Sequence, residues 1–74
     1  MPVTEQQETA RRLDYSIVVP AYNEESYLGE VLDFLHLGMS KLPSLKGEII
    51  VVDNNSTDQT ANLAKSKGVR VIFE

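Results

Sequence analysis

Val18-Val19-Pro20-Ala21-Tyr22-Asn23-Glu24-Glu25 and Val51-Val52-Asp53-Asn54-Asn55-Ser56-Thr57-Asp58-Gln59-Thr60 are the two stretches that settle how this chain folds. In each, an apolar run rich in β-branched residues stops at polar and acidic residues, and a helical pattern follows. Each reads as a strand delivering side chains into a crevice. In a parallel sheet, two such strands side by side put both polar tips at the carboxyl edge, where open α/β folds bind ligands. The two tips are expected to form one site.

Working outward, Tyr15–Pro20 has strong strand character, and Pro20, lacking an N–H, is expected to end the ladder. Leu28, Val31, Leu32 and Leu35 then fall at helical spacing, so a helix is expected over 24–37. Asn23 would be its N-cap, and Glu24 and Glu25 would sit in a first turn that favours negative charge. Gly38 is expected to stop it, with a linker through Pro43 and Gly47. Residues 48–52 read as the second strand. Ser56 and Gln59 have capping-box spacing, giving a helix over 58–67 that Gly68 ends. Residues 69–73 read as a third strand.

The pattern is β-α-β-α-β, which implies parallel strands in spatial order 3-2-1. It is the first half of a doubly wound sheet, with an empty place beside strand one. That unpaired edge carries an expectation of self-association or weak stability. Residues 1–14 read as a flexible lead-in and 15–74 as a partial nucleotide-binding unit, truncated relative to a whole domain.

Composition narrows the classes. The chain has 74 residues, 42% hydrophobic and 24% charged, ordinary values for a globular protein. A net charge of -4, with scattered lysines, argues against nucleic acid as a partner. The absence of cysteine removes disulfides and thiolate chemistry. No run is long and apolar enough to span a bilayer, and the first residues lack the apolar core of a secretory signal, so a cytoplasmic location is expected, with membrane association through regions outside this chain as the alternative.

The turn after strand one has no glycine, and its carboxylates would repel a pyrophosphate, so an NAD site and a P-loop are disfavoured. A base and a sugar fit better. Tyr22 offers a flat ring and a hydroxyl, while Asp53 and Glu24 offer acceptors for a base N–H or for ribose hydroxyls. The bland readings are turn capping for Asp53, packing for Tyr22 and a helix-dipole role for Glu24. A calcium loop starting at Asp53 fails because Asp58 stands at its glycine place and Ala64 at its glutamate place. His36 reads as a helix C-terminal residue, and Ser56 and Thr57 lack the context of a hydrolase nucleophile.

The two motifs in this order closely resemble the amino-terminal segment of family 2 inverting glycosyltransferases, which share the GT-A nucleotide-sugar fold. The resemblance covers about Tyr15 to Phe73. It implies a Rossmann-like α/β fold and transfer of a sugar from a nucleotide-diphosphate donor to an acceptor hydroxyl with inversion. It also implies that Pro20 and Tyr22 flank the nucleobase, that Glu24 lies near the ribose and that Asp53 hydrogen-bonds the base. Asn54 and Asn55 depart from the aspartate and glycine common at those places, which puts the loop shape in question. The family's Asp-x-Asp segment, which holds a divalent metal (Mg or Mn), and its general base are expected beyond Glu74. The segment by itself is therefore expected to bind without turning over. The competing expectation is a noncatalytic module that binds a nucleotide or a protein through the exposed sheet edge.

Overall fold

A computed structural model describes residues 12–74. The expected lead-in falls mostly outside them, although Asp14 is already tied to the body of the fold. Its N–H donates to the Lys46 carbonyl at 2.6 Å, and its carboxylate accepts the Lys46 N–H at 2.7 Å. From there the elements run β1 (Tyr15–Ala21), α1 (Leu28–Ser40), β2 (Gly47–Asp53), α2 (Thr60–Ser66) and β3 (Arg70–Phe73). The sheet order is β1-β2-β3 with both pairings parallel, as the alternation of strands and helices requires.

The register places Ile17 beside Ile49, Val19 beside Val51 and Ala21 beside Asp53. These odd-numbered residues face the helices. Ala21, Ile49 and Val51 join Leu28 and Leu32 of α1 and Ala64 of α2 in one buried cluster, so both helices cover the same face. Full burial of a leucine such as Leu32 contributes about 1.5–3 kcal/mol, and this cluster is the only large apolar reserve among the described residues. Gly29 sits where α1 passes α2, 3.6 Å from the Lys67 side chain measured from the place a Cβ would occupy. Lys67 also pairs with Asp33 at 2.9 Å.

Several boundaries differ from the sequence expectation, each for a physical reason. β1 runs through Pro20 to Ala21. The Ala21 carbonyl accepts the Asn54 N–H at 2.8 Å and the Tyr15 N–H donates to the Lys46 carbonyl at 3.2 Å. Odd residues of β1 therefore turn their backbone groups toward β2, and even residues turn theirs away. Pro20 is even, so its missing N–H lies on the open edge and costs the ladder nothing.

α1 begins at Leu28, not at residue 24, and runs through Gly38 to Ser40. Asn23 is not its cap. It stands at φ 51, in the left-handed region, and residues 24–27 form a turn closed by Leu28 N–H on the Glu24 carbonyl at 2.9 Å. Gly38 takes no left-handed conformation, so nothing stops the helix there. Gly68 does, at φ 77, and ends the helical run of α2 as expected. The capping box is not formed, because the Ser56 hydroxyl is engaged by another loop and Gln59 turns to Asn62. Gly47, read as linker, is instead the first residue of β2. The Tyr15 ring stands so close over it that any Cβ would lie 2.0 Å from a ring carbon.

Candidate functional site

β1 and β2 end side by side, Ala21 paired with Asp53, so the residues that follow them share the carboxyl edge of the sheet. The segment after β1 and the segment after β2 are joined mainly by side chains reaching for backbone. Asn23 N–H donates to the Ser56 hydroxyl at 2.9 Å, and the Asn23 side-chain oxygen accepts the Thr57 N–H at 2.9 Å. Glu24 N–H donates to Thr60 Oγ1 at 2.8 Å, and Glu25 N–H to Asp58 Oδ2 at 3.3 Å. In return, Glu25 Oε1 accepts the Gln59 N–H at 3.4 Å. Backbone amides that no helix or ladder satisfies thus find partners across the cleft between the loops.

Asp53 is the last residue of β2 and is only 3% exposed. Its Oδ1 accepts the Ser56 N–H at 3.2 Å, the one hydrogen bond that carboxylate makes among the described residues. A carboxylate has about four acceptor positions, so this leaves it with unused capacity. Tyr22, directly after β1, is 58% exposed, and Glu24 is half-buried in the turn. Pro20 is exposed on the face of β1 away from the helices. Pro20 and Glu24 line one shallow groove of about 210 Å³ with Tyr27 and Val31, along the open flank of β1 and α1. Tyr22 and Asp53 do not line that groove. All four residues stand at or beside the carboxyl edge, and Pro20 and Glu24 share this groove. A larger hollow, about 330 Å³, lies at the opposite end between His36, Glu48 and Arg70, away from every residue of the two motifs.

Sequence reading missed how much Asp58 and Thr60 take part. Thr60 is fully buried, and its hydroxyl donates to Asp58 Oδ1, which also accepts the Thr60 N–H at 2.9 Å. The Thr60 hydroxyl holds the Asp58 carboxyl below the usual carboxylate range, with the backbone amides of Thr60 and Glu25 adding to the effect. The signal in the sequence was a polar residue two places after an aspartate in a loop, and nothing local to it marks a partner more than thirty residues away. Asn55, standing where glycine is common, takes φ 62, a left-handed conformation asparagine tolerates better than most residues. The departure from glycine therefore does not keep the loop from making this turn.

Comparison with known proteins agrees with this frame. A model of the family described as glycosyl transferase family 2 matches residues 16–74. The poly(ribitol-phosphate) β-N-acetylglucosaminyltransferase TarS of Staphylococcus aureus is 38% identical over 53 residues, covering 72% of this chain and 9% of TarS. The human dolichyl-phosphate β-glucosyltransferase is 43% identical over 53 residues, covering 66% of this chain and 16% of that enzyme. Among solved structures, mannosyl-3-phosphoglycerate synthase from Rubrobacter xylanophilus superposes with a TM-score of 0.73 at 32% identity, over 92% of this chain and 21% of its own. Glucosyl-3-phosphoglycerate synthase from Mycobacterium tuberculosis, solved with Mn2+, UDP and glucosyl-3-phosphoglycerate, superposes with a TM-score of 0.65 at 33% identity. That match covers 96% of this chain and 24% of the synthase. The chain thus spans a quarter or less of each of these proteins. No helix among the described residues is long and apolar enough to cross a membrane.

Proposed function

The chain belongs to glycosyl transferase family 2, and from that premise we propose that its carboxyl edge holds the nucleoside end of a nucleotide-diphosphate sugar. Asp53 accepts from a base N–H, Pro20 and Tyr22 flank the base, and Glu24 lies by the ribose. The observation that carries this reading is the Asp53 carboxylate. It is nearly buried at the sheet edge with a single internal partner, and a buried acceptor with spare capacity is suited to a ligand N–H.

The whole protein would transfer the sugar with inversion. The acceptor oxygen forms a bond to the anomeric carbon as the bond to the diphosphate breaks, and the acceptor proton passes to a base. No described residue is assigned as that base. The UDP complexes of the glucosyl-3-phosphoglycerate synthase contain Mn2+ or Mg2+. Among the described residues here, no three acidic or imidazole side chains converge on one point, so no metal ligand is assigned and no step is routed through a metal. Residues 15–74 then act as the donor-binding part, with no turnover by themselves.

Titration of the chain with UDP and with GDP, by calorimetry or NMR, tests the assignment. Asp53→Asn keeps an oxygen for the Ser56 N–H and so keeps the turn, but removes the charge. It should lose about tenfold or more in affinity, the equivalent of about 1.5–3 kcal/mol for a charge-assisted bond. Equal affinity would reduce Asp53 to a turn-closing residue. Sugar transfer by these residues alone would overturn the division of labour.

The second reading, a binding module without catalysis, draws on the free edge of β1. Ser16 and Val18 turn their backbone groups outward, and Val18 is exposed. A second copy of the chain pairing there would give a concentration-dependent dimer in light scattering. A monodisperse monomer with a sharp melt would exclude it.

A further inference from the structure

The segment carrying Tyr22 and Glu24 has little of its own to hold it. α1 does not begin until Leu28, and in the hydrogen bonds between the two loops Glu24 takes part through its backbone N–H and Tyr22 not at all. The backbone is fixed from outside instead. Glu24 N–H ends on the Thr60 hydroxyl at 2.8 Å, and that hydroxyl passes its own proton bond to Asp58 Oδ1. The adjacent Glu25 N–H ends on Asp58 Oδ2 at 3.3 Å. Two consecutive amides of the first loop are thus gripped by two side chains of the second, 36 and 33 residues away in sequence. Thr60 is fully buried, so water cannot substitute for either of its bonds, and an unmet amide there carries its full desolvation penalty. Asp58 accepts from the Thr60 hydroxyl, the Thr60 amide and the Glu25 amide together, a set that a neutral amide side chain with one oxygen cannot reproduce.

We infer that Asp58 and Thr60 are positioning residues for donor binding: they set where Tyr22 and Glu24 stand by clamping the Glu24 and Glu25 amides, without touching the nucleotide themselves. This rests on the reading of the carboxyl edge as the nucleoside site, and the test separates the two. The full chain is compared with Thr60→Val, which keeps the shape and loses the hydroxyl, with Thr60→Ser, which does the reverse, and with Asp58→Asn. Amide exchange by NMR reads the clamp, and UDP titration reads its consequence.

Thr60→Val should speed exchange at Glu24, and Asp58→Asn at Glu25, each with UDP affinity lower by about tenfold. Thr60→Ser should stay close to the parent in both readouts, and the Tyr15 amide at the far end of the sheet should be unaffected throughout. Wild-type exchange at Glu24 in Thr60→Val would overturn the inference. So would faster exchange spread evenly over the sheet, or a loosened clamp with unchanged affinity. A parent chain that does not bind UDP would defeat the nucleoside reading alone, and the exchange arm would still decide whether the clamp exists.

Discussion

At the carboxyl edge, polar groups from two loops far apart in sequence are matched to one another, from Asn23 and Ser56 through to Glu25 and Gln59. On the sheet face away from the helices, Val18 stands beside Ile50, and Val52 beside Ile72, with no described element over them. Val18 is 58% exposed although its neighbours in sequence, Ile17 and Val19, pack against the core. Hydrogen bonds are short and directional, so two loops brought together by strand pairing can satisfy each other. Apolar burial needs a second surface of comparable area, and three strands with two helices supply only one. The polar edge is self-contained in a way the uncovered face is not.

Substitution on the two faces of the sheet should show the largest contrast. Leu32→Ala, on the covered side, should cost about 2–5 kcal/mol in urea denaturation, enough to unfold a chain this small. Val18→Thr, on the bare side, should stay within about 0.5 kcal/mol. A Val18 penalty as large as that of Leu32 would break the comparison, since it would mean that the face is covered in solution.

At the polar edge, Asn55→Val forces a β-branched residue into the left-handed region and should lower stability by about 1–2 kcal/mol, whereas Asn55→Gly should be close to neutral. Equal melts for the two variants would mean that the loop does not hold that conformation. Acid gives a more selective probe. The Asp58 carboxyl lies below the usual range when folded, so its contribution is complete above the unfolded-state value and is lost as pH falls through the folded one. Protection of the Glu25 and Thr60 amides, measured against the unfolded-chain rate at each pH, should therefore be lost in acid before that of Val51, which lies within the core. Simultaneous loss would show that the loops melt only with the whole fold. The smallest effect belongs to the exposed pair between the helices: Asp33→Asn should change stability by about 0.2–0.5 kcal/mol, and less in high salt.

The strands were legible because β-branched runs ending in polar residues carry a strong local pattern, and the parallel order followed from alternation with helices. Helix starts were less legible. Asn23 and Ser56 are good caps by type, yet both side chains are engaged by the opposite loop, and α1 starts four residues later than its acidic residues suggest. Pro20 misled for a similar reason, since its effect depends on which side of the strand its nitrogen faces, and a single strand does not carry that information.

By itself the sequence determined the β-α-β-α-β alternation, the grouping of the two polar tips at one edge, the stop at Gly68 and the kinship with family 2 glycosyltransferases. These rest on residue type and spacing over a few positions, where backbone preference and side-chain periodicity act directly. Only the tertiary structure decided that Thr60 is a buried link between the loops, that Asp53 keeps spare acceptor capacity, and that one sheet face has no described element over it. Each of those depends on what lies across the sheet or across the cleft, more than thirty residues away in the chain for the Thr60 link, and a hydrogen-bonding side chain takes the partner that the fold brings within reach.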